Sequence, residues 1–98
     1  GSSVEMVYLG NNNLTGNLPT DLVASQDLIL LNLRDNNFSG EVPGNWFTAL
    51  SNLEFLDISG NVGLTGNLDF YCTNRRPGMI VFTTCEALSC SCCVCIPI

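Results

Sequence analysis

Apolar residues recur two apart at four places along the chain, each pair followed three residues later by an asparagine or a cysteine. The pairs are Val7 and Leu9 before Asn12, Leu31 and Leu33 before Asn36, Leu56 and Ile58 before Asn61, and Ile80 and Phe82 before Cys85. Alternation with a period of two is the signature of a strand with one buried face. The pattern therefore predicts short strands centred on Val7–Leu9, Leu31–Leu33, Leu56–Ile58 and Ile80–Phe82, with the paired residues pointing inward. The phrase that starts at Val7 and ends at Pro19 returns from Leu31 to Pro43, with Asn12 and Asn36 at the same place in each copy. A fixed interval of this kind marks one supersecondary unit repeated, with successive strands side by side and parallel. Ninety-eight residues give about four turns, enough for stacked neighbours to bury a core.

Within each turn the remaining residues have separate duties. Asn12, Asn36 and Asn61 carry an amide that both donates and accepts, suited to backbone groups of the next turn that water cannot reach. Cys85 takes the same place in the fourth turn, following Asn61 by the interval that separates Asn12 from Asn36. Gly16, Gly40 and Gly66 mark tight backbone positions, and Pro19 and Pro43 close the extended piece that follows. Trp46 and Phe47 read as packing residues of the return path. The outward strand positions form columns: Met6, Leu30, Phe55 and Met79; then Tyr8, Asn32, Asp57 and Val81; then Gly10, Arg34, Ser59 and Thr83. The first column is apolar in every turn. An apolar stripe beside polar neighbours is a plausible dock for a protein or peptide, although single exposed apolar side chains are ordinary.

Charge and chemistry narrow the functional classes. The net charge is -6, with three Lys and Arg in total, so there is no basic stripe for nucleic acid. No apolar run approaches the roughly 20 residues that span a bilayer. Without histidine there is no His-based triad or general base, and the scattered carboxylates make no glycosidase pair, so the chain reads as a non-enzyme without a cofactor. All six cysteines, Cys72, Cys85, Cys90, Cys92, Cys93 and Cys95, fall near the C-terminal end, and none precedes Cys72. Such clustering in a small chain points to disulfides and an oxidising compartment. A thiolate metal site is the rival reading, but no Cys-x2-Cys pair has a distant matching pair and there is no His to complete a mixed site, so no metal is expected. Fifteen pairings are open; only Cys92 with Cys93 is disfavoured, since adjacent residues fit disulfide geometry poorly. Asn13-Leu14-Thr15 and Asn37-Phe38-Ser39 are glycosylation sequons at equivalent repeat positions, which makes Asn13 and Asn37 candidate acceptors in a secreted protein.

The phrases Leu14–Pro19 and Phe38–Pro43, together with Leu53 to Asn61, resemble the plant-type leucine-rich repeat. That resemblance covers about residues 4–68. It implies an α/β solenoid: a right-handed superhelix with a parallel concave sheet of about four strands and a convex side of loops and 3-10 turns. It also implies a second short strand at each Leu-x-Gly. Residues 1–68 are expected to form plant-type turns with no N-terminal cap ahead of them. Residues 69–98 are expected to form a last degenerate turn and a disulfide-bonded cap, whose Cys-x-Cys-Cys-x-Cys ending resembles leucine-rich repeat proteins of microalgae. The family includes ectodomains of receptor-like kinases, receptor-like proteins and secreted inhibitors. The expected function is therefore an extracellular or cell-surface recognition module for a protein, a peptide or a cell-wall glycan. The ligand-facing residues would be Met6, Tyr8, Leu30, Asn32, Arg34, Phe55, Asp57, Met79 and Val81. A structural adhesion protein and a thiolate metal tail on a repeat scaffold are the alternatives.

Overall fold

A computed structural model of the chain describes residues 5–19, 27–74, 78–84 and 88–97. Cys85, given a ladder role above, lies outside them. The main sheet is parallel throughout and contains β1 (Met6–Tyr8), β3 (Leu30–Asn32), β5 (Phe55–Asp57), β7 (Ile80–Thr84) and β8 (Val94–Ile96), adjacent in that order. A second parallel sheet of β2 (Thr15–Asn17), β4 (Asn37–Glu41) and β6 (Gly63–Thr65) runs alongside, at the Leu-x-Gly segments. The return path carries two short α-helices, α1 (Trp46–Ala49) and α2 (Asp69–Asn74), where 3-10 turns were expected.

The core lies between the two sheets and the return path. Leu31, Leu33, Leu56 and Ile58 point into it from the main sheet, while Phe38, Leu64, Leu18 and Leu68 enter from the second sheet and its flanks. Trp46 is fully buried, and its indole N–H donates to the Pro19 carbonyl at 3.1 Å, which ties two turns together. Phe47 stacks on Tyr71 of α2 at 4.7 Å between ring centres. The first turn is less covered. Val7 is half-buried and Leu9, expected inside, is 40 % exposed, because β1 has a described neighbour on one side only.

Asn36 and Asn61 form the ladder, but they reach back to the preceding turn rather than on to the next. Asn36 accepts from the Asn12 and Leu14 N–H groups at 3.0 Å each and donates to Leu9 O at 2.7 Å and Leu33 O at 3.1 Å. Asn61 accepts from Phe38 N–H and donates to Leu33 O and Ile58 O. Asn12 is exposed and donates only locally, to Gly10 O, among the described bonds. The direction follows from geometry. The strand that ends just before the ladder residue turns its carbonyls toward the previous strand, as in Leu33 N–H to Asp57 O and Leu9 N–H to Asn32 O, and the amide continues that network.

The last turn differs by one residue from the alternation read above. Val81 pairs with Leu56, as Leu56 pairs with Leu31, so the interval is one residue longer than a count from Asn61 to Cys85 implies. Met79 and Val81 are thereby buried, 4 % and 1 % exposed, and Ile80 and Phe82 face outward. A one-residue slip exchanges the two faces of a strand. Thr83, placed in an outward column above, is buried at the position of Ile58, and Thr84 Oγ1 accepts from the Gly60 N–H.

The C-terminal end is closed by a cap. Cys72 of α2 is bonded to Cys92 and Cys90 to Cys93; Cys95 is also in a disulfide. β8 then lies against β7 as a fifth strand. The cap is further held by Ser89, which forms an isolated parallel bridge with Asn67, with Leu68 N–H donating to Ser89 O at 2.7 Å.

Candidate binding surface

The main sheet holds its outward side chains in registered columns, since neighbouring parallel strands place equivalent residues side by side. The first column is Met6, Leu30, Phe55 and Ile80; the second is Tyr8, Asn32, Asp57 and Phe82. Met6 and Tyr8 are more than half exposed and Ile80 is 44 % exposed, while Leu30, Phe55 and Phe82 are half-buried. Phe82 leans on Phe55 with 5.1 Å between ring centres. Six apolar or aromatic side chains thus make one stripe across four strands. Met79 and Val81 are not in it, for the register reason given above. Ile80 and Phe82 replace them, and the sequence carried no phase to reveal this, because residues 79–82 are apolar without a break.

The polar members of the second column are turned to the backbone. Asn32 Oδ1 accepts from the Arg34 N–H at 3.0 Å. Asp57 Oδ1 accepts from the Ser59 N–H at 3.0 Å and from its hydroxyl at 2.6 Å. Such Asx contacts two residues on shape the chain as it leaves the strand. Asp57 is 4 % exposed and so is not the open rim group that its column position implied. Arg34 lies over it, with a guanidinium nitrogen 4.0 Å from Asp57 Oδ2 and Nε 3.5 Å from Asp35 Oδ2. About half of the Arg34 side chain remains exposed, as does about half of Asp35, so both present charge beside the stripe.

Where the strands leave the sheet, Arg34, Asp35, Ser59, Gly60, Val62, Thr84, Ile96 and Pro97 line a cleft of about 270 Å³. Val62 is 63 % exposed at its mouth. The far wall is the end of β8, which the repeat pattern did not foretell: Val94-Cys95-Ile96 is a short apolar run hidden among cysteines. Asn13 and Asn37 are both exposed on the second-sheet side, away from the stripe, and Asn37 pairs with Thr15 of the first sequon. Among the described residues, no helix is long and apolar enough to cross a membrane.

Comparison with known proteins agrees with this architecture. The leucine rich repeat family pattern matches residues 2–62, and so stops short of the cap. Among curated proteins of Arabidopsis thaliana, the chain is 37% identical over 59 residues to Receptor-like protein 32. It is 41% identical over 63 residues to Receptor-like protein kinase HAIKU2. These matches cover 60% and 64% of the chain, which spans only 7% and 6% of the two relatives' lengths. The crystal structure of the leucine-rich repeat ectodomain of the receptor kinase SOBIR1, also from Arabidopsis thaliana, aligns with a TM-score of 0.62 at 43% identity. That alignment covers 68% of this chain and 36% of the other. With the repeat phrase, the registered strands and the asparagine ladder, the match over more than half its length shows that the chain belongs to the leucine rich repeat family, in the plant-type form.

Proposed function

We propose that the chain is an extracellular recognition module that binds a protein or peptide segment across the outward face of its main sheet. One observation carries the reading: Met6, Tyr8, Leu30, Phe55, Ile80 and Phe82 form a continuous apolar stripe on the face of the sheet turned away from the core. The stripe could supply a desolvated centre, and Arg34, Asn32 and Asp35 a polar border. Its side chains stand on hydrogen-bonded strands and change without disturbing the core, which separates recognition from folding. The likeness to a receptor ectodomain and to receptor-like proteins supports the extracellular setting, as does the disulfide-bonded cap. Glycans and adhesion to a surface are further readings that the stripe favours less, because its exposed area is mainly apolar.

The test is selection of binders from a displayed random-peptide library, followed by substitution of the protein. Phe55→Ala and Tyr8→Ala should each weaken the selected peptides by about 1 kcal/mol or more, roughly fivefold, with an unchanged circular dichroism spectrum. Thr48→Arg on the exposed side of α1 should leave binding as it was. The reverse result, with Thr48→Arg abolishing binding and both sheet variants binding like the parent, would show that the sheet face is not the site.

A further inference from the structure

The cap brings two disulfides into contact. Cys72 Sγ, already bonded to Cys92, lies 3.5 Å from Cys90 Sγ, which is bonded to Cys93. Both sulfurs are in disulfides, so neither carries a hydrogen and the contact is a non-bonded approach of sulfur to sulfur. The Sγ atoms of Cys72, Cys90 and Cys92 all lie within 4.8 Å of one another, so Cys90 sits beside the Cys72–Cys92 bond and, once released from Cys93, must turn about its side chain to reach the axis of that bond. All four cysteines are half-buried rather than enclosed in the core. Their proximity does not depend on the sulfur bonds alone. Asp69 of α2 accepts from the Ser91 N–H at 3.0 Å, Leu68 N–H donates to Ser89 O, and the Cys92 N–H points at Cys72 Sγ at 3.2 Å. The 89–93 loop is therefore held against α2 when one bridge is open.

We propose that this cap is a thiol–disulfide relay whose substrate is a low-molecular-mass thiol. The incoming thiolate attacks Cys93 Sγ; a mixed disulfide forms there, the Cys90–Cys93 bond breaks and Cys90 leaves as a thiolate. That thiolate then attacks Cys72 Sγ. The Cys72–Cys90 bond forms, the Cys72–Cys92 bond breaks and Cys92 leaves as a thiolate, which takes the proton lost by the incoming thiol. Two protein disulfides and one thiol become one protein disulfide, one mixed disulfide and one protein thiol, with no net oxidation. Exchange proceeds by such direct attack of thiolate on disulfide sulfur and is governed by access and by the thiolate present. The product is kept open because Cys92 and Cys93 are adjacent and close a disulfide poorly. The relay thus moves the free thiol from Cys90, against α2, to Cys92, next to β8.

The experiment uses the whole chain under native, anaerobic conditions with reduced glutathione as the thiol. The reaction is quenched in acid, alkylated with N-ethylmaleimide, digested without reduction and mapped by mass spectrometry. The expected product has glutathione on Cys93, alkylation on Cys92 and a peptide linking Cys72 to Cys90. Alkylation mainly at Cys90 with Cys72–Cys92 intact, or no reaction in the cap, overturns the relay. In a second arm, Cys93→Ser leaves Cys90 without its partner and needs no added thiol. Alkylation should then divide between Cys90 and Cys92, and alkylation confined to Cys90 overturns the proposal. Should that variant not fold, the glutathione arm on the parent chain decides alone.

Discussion

Asn36 shows how one side chain joins two turns. Its amide serves five backbone groups, three of them in the preceding turn, and it is 5 % exposed. Removing it strands buried donors and acceptors, so Asn36→Ala should lower stability by about 1–3 kcal/mol in urea denaturation. Asn12 has the same place in the repeat but is exposed, and among the described residues its side chain makes one local bond, so Asn12→Ala should cost under about 0.5 kcal/mol in the same assay. Equal costs would mean that the ladder role comes from the motif and not from the neighbouring turn. Gly60 makes a related point. It holds φ at 76°, and a Cβ there meets Asp35 Oδ1 and lies 2.9 Å from the Asp35 backbone nitrogen. Gly60→Ala should destabilise by roughly 1–3 kcal/mol through backbone strain and the collision, read as a lowered denaturation midpoint. The equivalent positions in the earlier turns, Asn11 and Asp35, also hold positive φ, a conformation that Asn and Asp tolerate better than other side chains.

At the scale of elements, the lesson is in β7. Every residue from Met79 to Phe82 is apolar, so alternation names a strand without saying which face is inside. Pairing with β5 makes the choice, since Val81 must stand beside Leu56 for the hydrogen bonds of the sheet to close. Val81→Asn should therefore cost at least about 3 kcal/mol, while Ile80→Asn, at an exposed position, should cost under about 1 kcal/mol. Comparative urea melts of the two variants check this, and the opposite ranking would restore the shorter interval, with Ile80 inside. Helix α1 is four residues long and owes its place to Trp46 rather than to helical propensity. Trp46→Ala should cost about 3–5 kcal/mol through its lost burial, with the Pro19 carbonyl left unserved.

The whole molecule is a stack in which each turn touches mainly its neighbours, so its stability is close to a sum of turns and interfaces. The end turns then depend on what covers them. At the C-terminal end the cover is α2, the disulfide-bonded loop and β8. Full reduction of the cap should destabilise the protein by about 2–5 kcal/mol. Amide hydrogen exchange should rise first in β8 and β7 while β3 and β5 keep their protection. Uniform loss of protection over all strands would show that the stack unfolds as one unit and that the cap has no local role.

Period and alternation are local properties, and they suffice to name the repeat, the inward pairs of β3 and β5 and the ladder residues Asn36 and Asn61. The likeness of the Leu-x-Gly phrases to the plant-type repeat adds the second strand of each turn. Contacts between turns are not local. Pairing of neighbouring strands set the phase of the last one, exchanged Met79 and Val81 for Ile80 and Phe82 on the outward face, and sent the ladder bonds backward. The turn geometry directed Asn32 and Asp57 to their own backbone, so column position alone overstated the polar part of the binding surface. Spacing along the chain disfavours Cys92 with Cys93 but does not choose among the other pairings of six cysteines. Proximity in space, with α2 laid against the 89–93 loop, is what joins Cys72 to Cys92 and Cys90 to Cys93.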